Sequence, residues 1–420
     1  MFDVITAASL DYEEYRHVYT ARGNPGHVFV PRDTEEVASA LTRAIKDGRQ
    51  LAVRSGGHGI SSISTNDDGI VIDLRRLSGV ERVSDTLVRV QPGARWGAVA
   101  HALEPWGLAI SSGDSGDVGV GGLATTGGIG LMGRAHGLTI DRIRGVEIVT
   151  ANGTVSRIDA EHEPDLFWAV RGAGANVGIV TSFLFDASET AFVVQGTLFF
   201  AIQNTAQFFE QWGRIVEAAP REVSAFLYVA AGPVVQAQAT IVYAGDDEDA
   251  ARAAMHGFSG LPGLVGETIV SVPYSSVPVT TGDQHTGQQG AHAHSGLIDH
   301  LDQSTSTRLA EHLAADGVDL IMIRSVGGAI NDVPADATAY PHRHQNFSVM
   351  SVSMTGGTAF NRAWARVYPL MDGMYLSFET SHEPEHLRDA FPGATLDRLR
   401  RIKRTWDPDG VFNQNFDIRG

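Results

Sequence analysis

The sequence predicts an α+β protein built in more than one unit, and three observations carry that expectation. The chain has 420 residues, beyond the ~250–300 residues at which a single hydrophobic core stops growing, so two domains or one domain with a large insertion is the default. Its 47 glycines crowd into Gly56–Gly59, Gly113–Gly137 and Gly172–Gly178, all within the first 190 residues. From about Ala191 the texture changes to strand-like runs separated by helices.

In the first region, Thr34–Asp47 has Thr34 as a candidate N-cap, two glutamates in its first turn and apolar residues at helical spacing, so it reads as a helix. Leu51–Arg54 reads as a short buried strand running into glycines, and Ile70–Asp73, Leu87–Val90, Gly145–Thr150 and Ile179–Phe185 read as further strands. Trp96–Glu104 is a short helix. This region is α+β or α/β around glycine loops. In the second, Phe192–Ala201, Val223–Ala231, Ala237–Ala244, Leu320–Val326 and Phe347–Met354 are strand-like, with helices at Thr205–Ala218 and Asp247–Phe258. That pattern fits an antiparallel sheet backed by helices. Gly282–His294 is polar and reads as a surface loop, and Leu387–Arg404 is amphipathic and basic.

Composition removes several function classes. The net charge of −17 argues against nucleic acid as the main partner, because phosphate binding is driven by Lys and Arg. With 43% hydrophobic and 19% charged residues, wholesale disorder is excluded. Zero cysteines exclude disulfides, zinc–thiolate sites, Cys-ligated iron–sulfur clusters and a Cys nucleophile, so redox chemistry requires a bound cofactor. No run of about 18 apolar residues occurs, so no membrane-spanning helix is expected. The N-terminus lacks a signal-peptide pattern, and the expected setting is cytoplasmic.

Gly128-Ile-Gly130-Leu-Met-Gly133 satisfies G-x-G-x-x-G by letter, but it follows more glycine instead of a strand, and Asp141 and Glu147 come too soon for the ribose acid. No P-loop is present. What remains is three glycine-dense loops. Such loops let main-chain N–H groups approach a pyrophosphate closely, so an acidic protein could hold an anionic cofactor through its backbone.

Arg54-Ser-Gly-Gly-His58-Gly59, the stretch Gly113–Ile143 and RGAGANVGIVTSF (Arg171–Phe183) together resemble the FAD-linked oxidases of the vanillyl-alcohol oxidase and berberine-bridge-enzyme family. AYPHR (Ala339–Arg343), MYLSF (Met374–Phe378) and the terminal WDPDGVFNQN extend the resemblance over essentially the whole chain. The resemblance implies a two-part FAD-binding domain at 1–190 and 371–420, with an inserted substrate domain of antiparallel sheet plus helices at 191–370. It places the cofactor against Arg54, Ser55, Gly56, Gly57, His58 and Gly59, then Ser115, Asp117, Val118, Gly119, Gly121 and Gly122 within Asp114–Gly122. Gly128 and Gly130, Ile179 and Val180, and Asn415 complete the set. His58 falls where members bond covalently to the flavin. Ser115 stands where many relatives carry a second, cysteine link, so the expected attachment is through His58 alone. Val118 falls where oxygen-reactive members carry a small β-branched residue, which leans toward an oxidase.

In the family's Y-x-N-Y segment the second tyrosine commonly assists proton removal, whereas here the segment reads Tyr375-Leu-Ser377-Phe378. A phenyl ring cannot exchange a proton, so either another group is the base or the substrate needs none. Tyr375, Glu379 and His342 are the candidate catalytic residues, with Tyr340 nearby. Each also has a plainer reading: a packed strand tyrosine for Tyr375, a solvated loop acid for Glu379, a cap or pair at a strand start for His342. The strand Phe347–Met354 offers Ser, Met, Val and Phe, which suits an apolar aromatic, polyketide or alkaloid-like metabolite better than a sugar. The spacing of His285, His292, His294 and His300 matches no standard ligand pattern, so no metal is expected.

The resulting expectation is an oxidase of secondary metabolism. It would oxidise a C–H bond next to O or N in a small molecule and pass the electrons to O2 as peroxide, with no nucleic-acid or membrane partner. A flavin-dependent oxygenase and a flavoprotein with a carrier role stay open as alternatives.

Overall fold

Apolar runs in the first 190 residues form two sheets in the computed structural model, which describes residues 2–282 and 290–419. The first sheet joins β1 (Asp3–Ile5), β2 (His27–Val30), β3 (Leu51–Arg54) and β4 (Ile70–Asp73) in the order β1-β2-β4-β3. β2, β4 and β3 run parallel, and β1 is antiparallel to β2. Ile70, Val71 and Ile72 are all fully buried, as a parallel strand covered on both faces requires. Helix α1 (Thr34–Asp47) lays Val37, Leu41 and Ala44 on this sheet. Its N-cap is Asp33, not Thr34: the Asp33 carboxylate accepts the Glu36 N–H, while the Thr34 hydroxyl reaches Glu147 and Thr181.

The second sheet is antiparallel throughout, in the order β5-β6-β9-β7-β8. Its strands are β5 (Val80–Arg82), β6 (Leu87–Val90), β7 (Ile143–Val149), β8 (Val155–Asp159) and β9 (Ile179–Asp186). Helices α2 (Trp96–Leu103), α3 (Val120–Leu123), α4 (Gly133–His136) and α5 (Pro164–Ala173) lie between its strands in sequence.

The third sheet takes every strand from β10 (Phe192–Ile202) through β11 (Val223–Ala230), β12 (Val235–Tyr243), β13 (Leu264–Pro273), β14 (His292–Ile298), β15 (Leu320–Ser325) and β16 (Phe347–Ser353). Among the described residues its order is β13-β10-β12-β11-β15-β16-β14, and all neighbours are antiparallel. One face packs on helices α6 (Thr205–Ala218), α7 (Glu248–Ser259), α8 (Gln303–Leu313) and α9 (Thr358–Val367). Phe208, Trp212, Phe258 and Phe360 from these helices meet Leu198, Leu227, Ile241, Ile323 and Val349. The alternation of a strand sends the intervening side chains to the other face, toward the glycine loops.

Two expectations are corrected. The polar Gly282–His294 stretch does not stay a loop, since β14 begins at His292 and pairs with β16 along its length; His285 and residues 283–289 lie outside the described residues. Its Gly and His content masked a strand, HAHSGLI, that is buried at all but its first residue. The amphipathic Leu387–Arg404 stretch splits into α10 (Pro384–Ala390) and α11 (Ala394–Trp406), broken at Pro392 and at Gly393, whose φ is +52°. After α11 the chain returns to the first unit. Phe412 joins the core of α1 and the first sheet, and the Gln414 amide donates to the carbonyls of Ile63 and Thr65. We propose domain limits at 190/191 and 370/371 on the basis of these sheet memberships. No helix of the described residues is long and apolar enough to cross a membrane.

Candidate active site

A cavity of about 1340 Å³ opens between the glycine loops and the helix-free face of the third sheet. It exceeds the ~300–1,000 Å³ of an ordinary small-molecule pocket, leaving room for a large cofactor and a substrate together. Ser55–Gly59 from the first loop, Ser115, Asp117, Val118, Gly119, Gly121 and Gly122 from the second, Gly172–Asn176 from the third, and Ile179, Val180 and Asn415 all line it.

The loops interlock at glycines. A Cβ on Gly119 would stand 2.1 Å from the Gly56 nitrogen, and one on Gly56 would stand 2.4 Å from the Gly119 nitrogen, so only bare backbone permits this crossing. The Ser55 hydroxyl fastens the junction by donating to the Pro92 carbonyl and accepting from the Gly121 N–H. By contrast, a Cβ on Gly59 or Gly122 would meet no protein atom within 4 Å although both residues line the cavity. These are places where the backbone is bared to a ligand. His58 lies 4.1 Å from the Tyr19 ring by centroid, and its Nε2 stands 3.5 Å from the Ser115 hydroxyl. Asp117 accepts from both the N–H and the hydroxyl of Thr281. Burial works to raise its pKa, but these bonds and the charges of Arg95 and His58 hold it below the usual carboxylate range.

Five expected site residues stand outside the cavity lining. Arg54 lies behind its loop, ion-paired with buried Asp73 at 2.8 Å and donating to the Tyr15 carbonyl. Gly128, with φ +81°, packs against Thr139, and Gly130 sits against the Ser112 carbonyl, so both shape the turn while Ile129 and Leu131 reach the cavity. Glu379 is not a solvated loop acid. It is fully buried, accepts from the N–H groups of Ser295, Thr380 and Ser381, and lies 3.1 Å from His294 Nδ1. His342 is buried against Gly373 and hydrogen-bonds the Ala390 carbonyl, not a strand start. Burial lowers its pKa to about 4. Glu379 and His342 therefore pin the C-terminal segment in place. His294 has both ring nitrogens engaged, by Glu379 and Asn361, and His300 pairs with Glu217, so these histidines do not converge on one point.

Of the three catalytic candidates only Tyr375 lines the cavity. It precedes a short 3-10 turn instead of lying on a strand; its hydroxyl accepts the Gly128 N–H at 3.0 Å, and its ring meets Tyr340 and Phe378 edge-on. The AYPHR motif explains itself here. Arg343 grips Asp141 through two 2.8 Å bonds, and Gly172 of the third loop lies against the Tyr340 nitrogen.

The sheet wall has two sides. Leu320, Met322, Met350, Val352 and Met354 make an apolar side, but Gln195, Thr197, Tyr228, Gln238, Thr240 and Arg324 make a polar one. The lining is mostly apolar, as expected, and strands β10, β11, β12 and β15 add polar side chains to the wall that β16 alone lacks. Sequence reasoning also missed a cluster. Asp114, before Ser115, accepts from the Tyr228 hydroxyl, and Arg324 Nη2 lies 3.4 Å from the same carboxylate oxygen. Burial would raise the Asp114 pKa, but Arg324 and Tyr228 hold it below the ordinary range; burial and Asp114 push the Tyr228 phenol up. Tyr228 and Arg324 stand as polar residues in the mostly apolar strands β11 and β15, and that pattern cannot say which cavity a face adjoins.

Residues 25–159 match the family model of the FAD binding domain, and residues 375–419 match that of berberine and berberine-like proteins. Xylooligosaccharide oxidase of Thermothelomyces thermophilus is 28% identical over 92% of this chain and 86% of its own. The crystal structure of 6-hydroxy-D-nicotine oxidase from Arthrobacter nicotinovorans superposes with a TM-score of 0.88 at 23% identity, covering 100% of this chain and 98% of that one. Glucooligosaccharide oxidase from Acremonium strictum, described with a 6-S-cysteinyl, 8α-N1-histidyl FAD, gives a TM-score of 0.85 at 22% identity over 99% and 97%. At these identities the two structures speak for the fold alone.

Proposed function

The chain belongs to the FAD-linked oxidases of the vanillyl-alcohol oxidase and berberine-bridge-enzyme family and is an FAD-linked oxidoreductase, and from that premise we propose that it oxidises a C–H bond next to O or N in a small, amphipathic metabolite. The observation that carries this reading is the cavity itself, with bared glycine backbone on one side and on the other a wall that has a methionine-rich apolar side and a polar side. Bound FAD would supply the hydride acceptor and hand electrons to O2. Ser55–Gly59, Ser115–Gly122 and Asn415 would hold it. The acceptance of FAD by main chain suits a protein of charge −17, since backbone N–H groups bring no lysines.

Covalent attachment through His58 alone is part of the proposal. His58 and Ser115 lie side by side, where the motif resemblance implies the histidine and cysteine of doubly linked members, and a serine cannot form the thioether. Val118 on the cavity wall supports oxygen as acceptor. Substrate C–H positioning would fall to the opposite wall, with the carbon held near the flavin edge by the sheet. Tyr375 orients by its fixed ring, its oxygen already accepting from Gly128.

The visible spectrum of the purified protein, followed by acid denaturation and intact mass, tests this directly. A yellow protein that retains the FAD mass after denaturation is expected, and His58→Ala should release the flavin. Flavin lost from the wild type on denaturation would sink the tether, and a colourless protein that cannot be reconstituted with FAD would sink the whole reading.

Gly119→Ala is expected to force the first two loops apart at a cost of about 1–3 kcal/mol of stability, typical of overpacking. Its thermal melt should fall and its flavin-to-protein ratio should drop well below that of the wild type. An unchanged melt and full flavin content would show that the crossing at Gly56 is not needed.

A further inference from the structure

We propose that Arg324 is the substrate anchor of this cavity and that it selects molecules carrying a carboxylate at one end of an apolar body. The inference rests on the active-site reading above and deepens it by naming the substrate class. Arg324 lies on β15, an interior strand of the cavity-facing sheet, is 4% exposed, and lines the cavity. Its guanidinium is held flat by aromatic faces: its carbon stands 4.3 Å over the Phe378 ring and 5.3 Å over Phe226. Stacking of this kind fixes the group while using none of its N–H donors.

Its hydrogen bonding is sparse for a buried cation. A guanidinium has five N–H donors. Among the described residues its hydrogen-bonded carboxylate is Asp114, 3.4 Å from Nη2, with the Tyr228 phenol oxygen close by, and Nη1 is buried without a partner. That carboxylate is shared, because Tyr228 donates to the same oxygen. A buried charge left this short of acceptors is costly unless something else completes it. A planar oxyanion does so with two oxygens matched to the guanidinium fork.

The surroundings fix the rest of the molecule. Across the strand register, Tyr228 lies beside Gln238 on one side and Met322 on the other, and Met322 lies beside Met350. The polar half therefore continues past Arg324 as Gln195, Thr197, Gln238 and Thr240, while Leu320, Met322, Met350 and Val352 offer an adaptable apolar bed. Phe378 occupies the position of the family's second tyrosine, and in this chain it serves as the platform for the arginine. A cation in place of a phenol makes the site a reader of negative charge.

The test uses the flavin-loaded protein and two matched probes, 4-phenylbutanoate and 4-phenylbutan-1-ol, titrated with the flavin absorption spectrum and calorimetry as readouts. The carboxylate should bind at least about 10-fold more tightly than the alcohol, as a charge-assisted bond predicts. Arg324→Met should weaken the carboxylate about 10- to 100-fold and leave the alcohol within about twofold. Asp114→Asn removes the competing carboxylate and should tighten 4-phenylbutanoate several-fold, an effect that a merely structural role would not produce. Should Arg324→Met fail to fold, Arg324→Lys keeps the charge and loses the fork, and it should retain only part of the preference. Equal binding of the two probes, no carboxylate binding at millimolar concentration, or a preference untouched by Arg324 substitution would overturn the proposal. Failure of the cofactor reading would instead appear as a protein without flavin colour, and calorimetry would still report on the arginine.

Discussion

Lowering the pH from about 6.5 to about 4 is expected to remove roughly 6 kcal/mol of folding stability through two buried histidines, His312 and His342. Burial brings each from an ordinary value of 6.5 down to about 4. His312 is 3% exposed between Phe360 and Trp364, bonded to the Ser351 hydroxyl at 2.7 Å; His342 is 6% exposed against Ala390. Both stay neutral in the fold while the unfolded chain takes up protons below pH 6.5. Stability is therefore full above that pH and is lost as the pH falls toward 4, by about 3 kcal/mol for each histidine. Total stabilities of about 5–15 kcal/mol put the protein near its unfolding limit at the acid end. Urea unfolding across this range checks the slope, and replacing both histidines by glutamine should flatten it. A wild-type stability that stays level from pH 6.5 to 4.5 would refute the assignment.

Lys403→Met should cost about 3–5 kcal/mol, because it strands a buried carboxylate. The Lys403 ammonium is 2.6 Å from Asp407, which is fully buried as a side chain, and it also donates to the Asn176 and Phe412 carbonyls at 2.8 and 2.7 Å. Asp407 in turn accepts from the N–H groups of Val411 and Phe412. One cation thus ties α11 and the terminal segment to the third glycine loop. Loss of stability should come with loss of bound flavin, since Asn176 and Asn415 both line the cavity. Lys403→Met with Asp407→Leu should recover much of the loss, as replacing a whole buried pair by apolar groups often does. A single variant that melts within 1 °C of the wild type would show that the clamp contributes nothing.

The clamp also explains why WDPDGVFNQN was legible as a motif while its work was not. Its acid and its last asparagine serve different ends: Asp407 holds a lysine one helical turn earlier, and Asn415 borders the cavity. The glycine loops were readable for a local reason. A position where two backbones cross excludes side chains, so Gly56 and Gly119 declare themselves by composition. Glu379 was misread for the opposite reason. Acids are mostly solvated, and only β14, itself hidden in a polar stretch, supplies the Ser295 N–H and the His294 ring that bury it.

Local physics acts over a few residues, and that part could be read from the chain: the strand and helix periods, the backbone-baring loops, the α+β class, the lack of any thiol and the family to which the motifs belong. Which side chains meet across the cavity depends on register and on how one sheet face is laid over the loops. Asp114, Tyr228 and Arg324 lie 114 and 96 positions apart in sequence and touch only in the fold. The tertiary structure alone decided that the tyrosine's replacement, Phe378, carries a guanidinium, that two of three candidate catalytic groups are struts, and that the mostly apolar cavity wall has a polar side. A cavity is a property of surfaces brought together, and no window of sequence contains both of its walls.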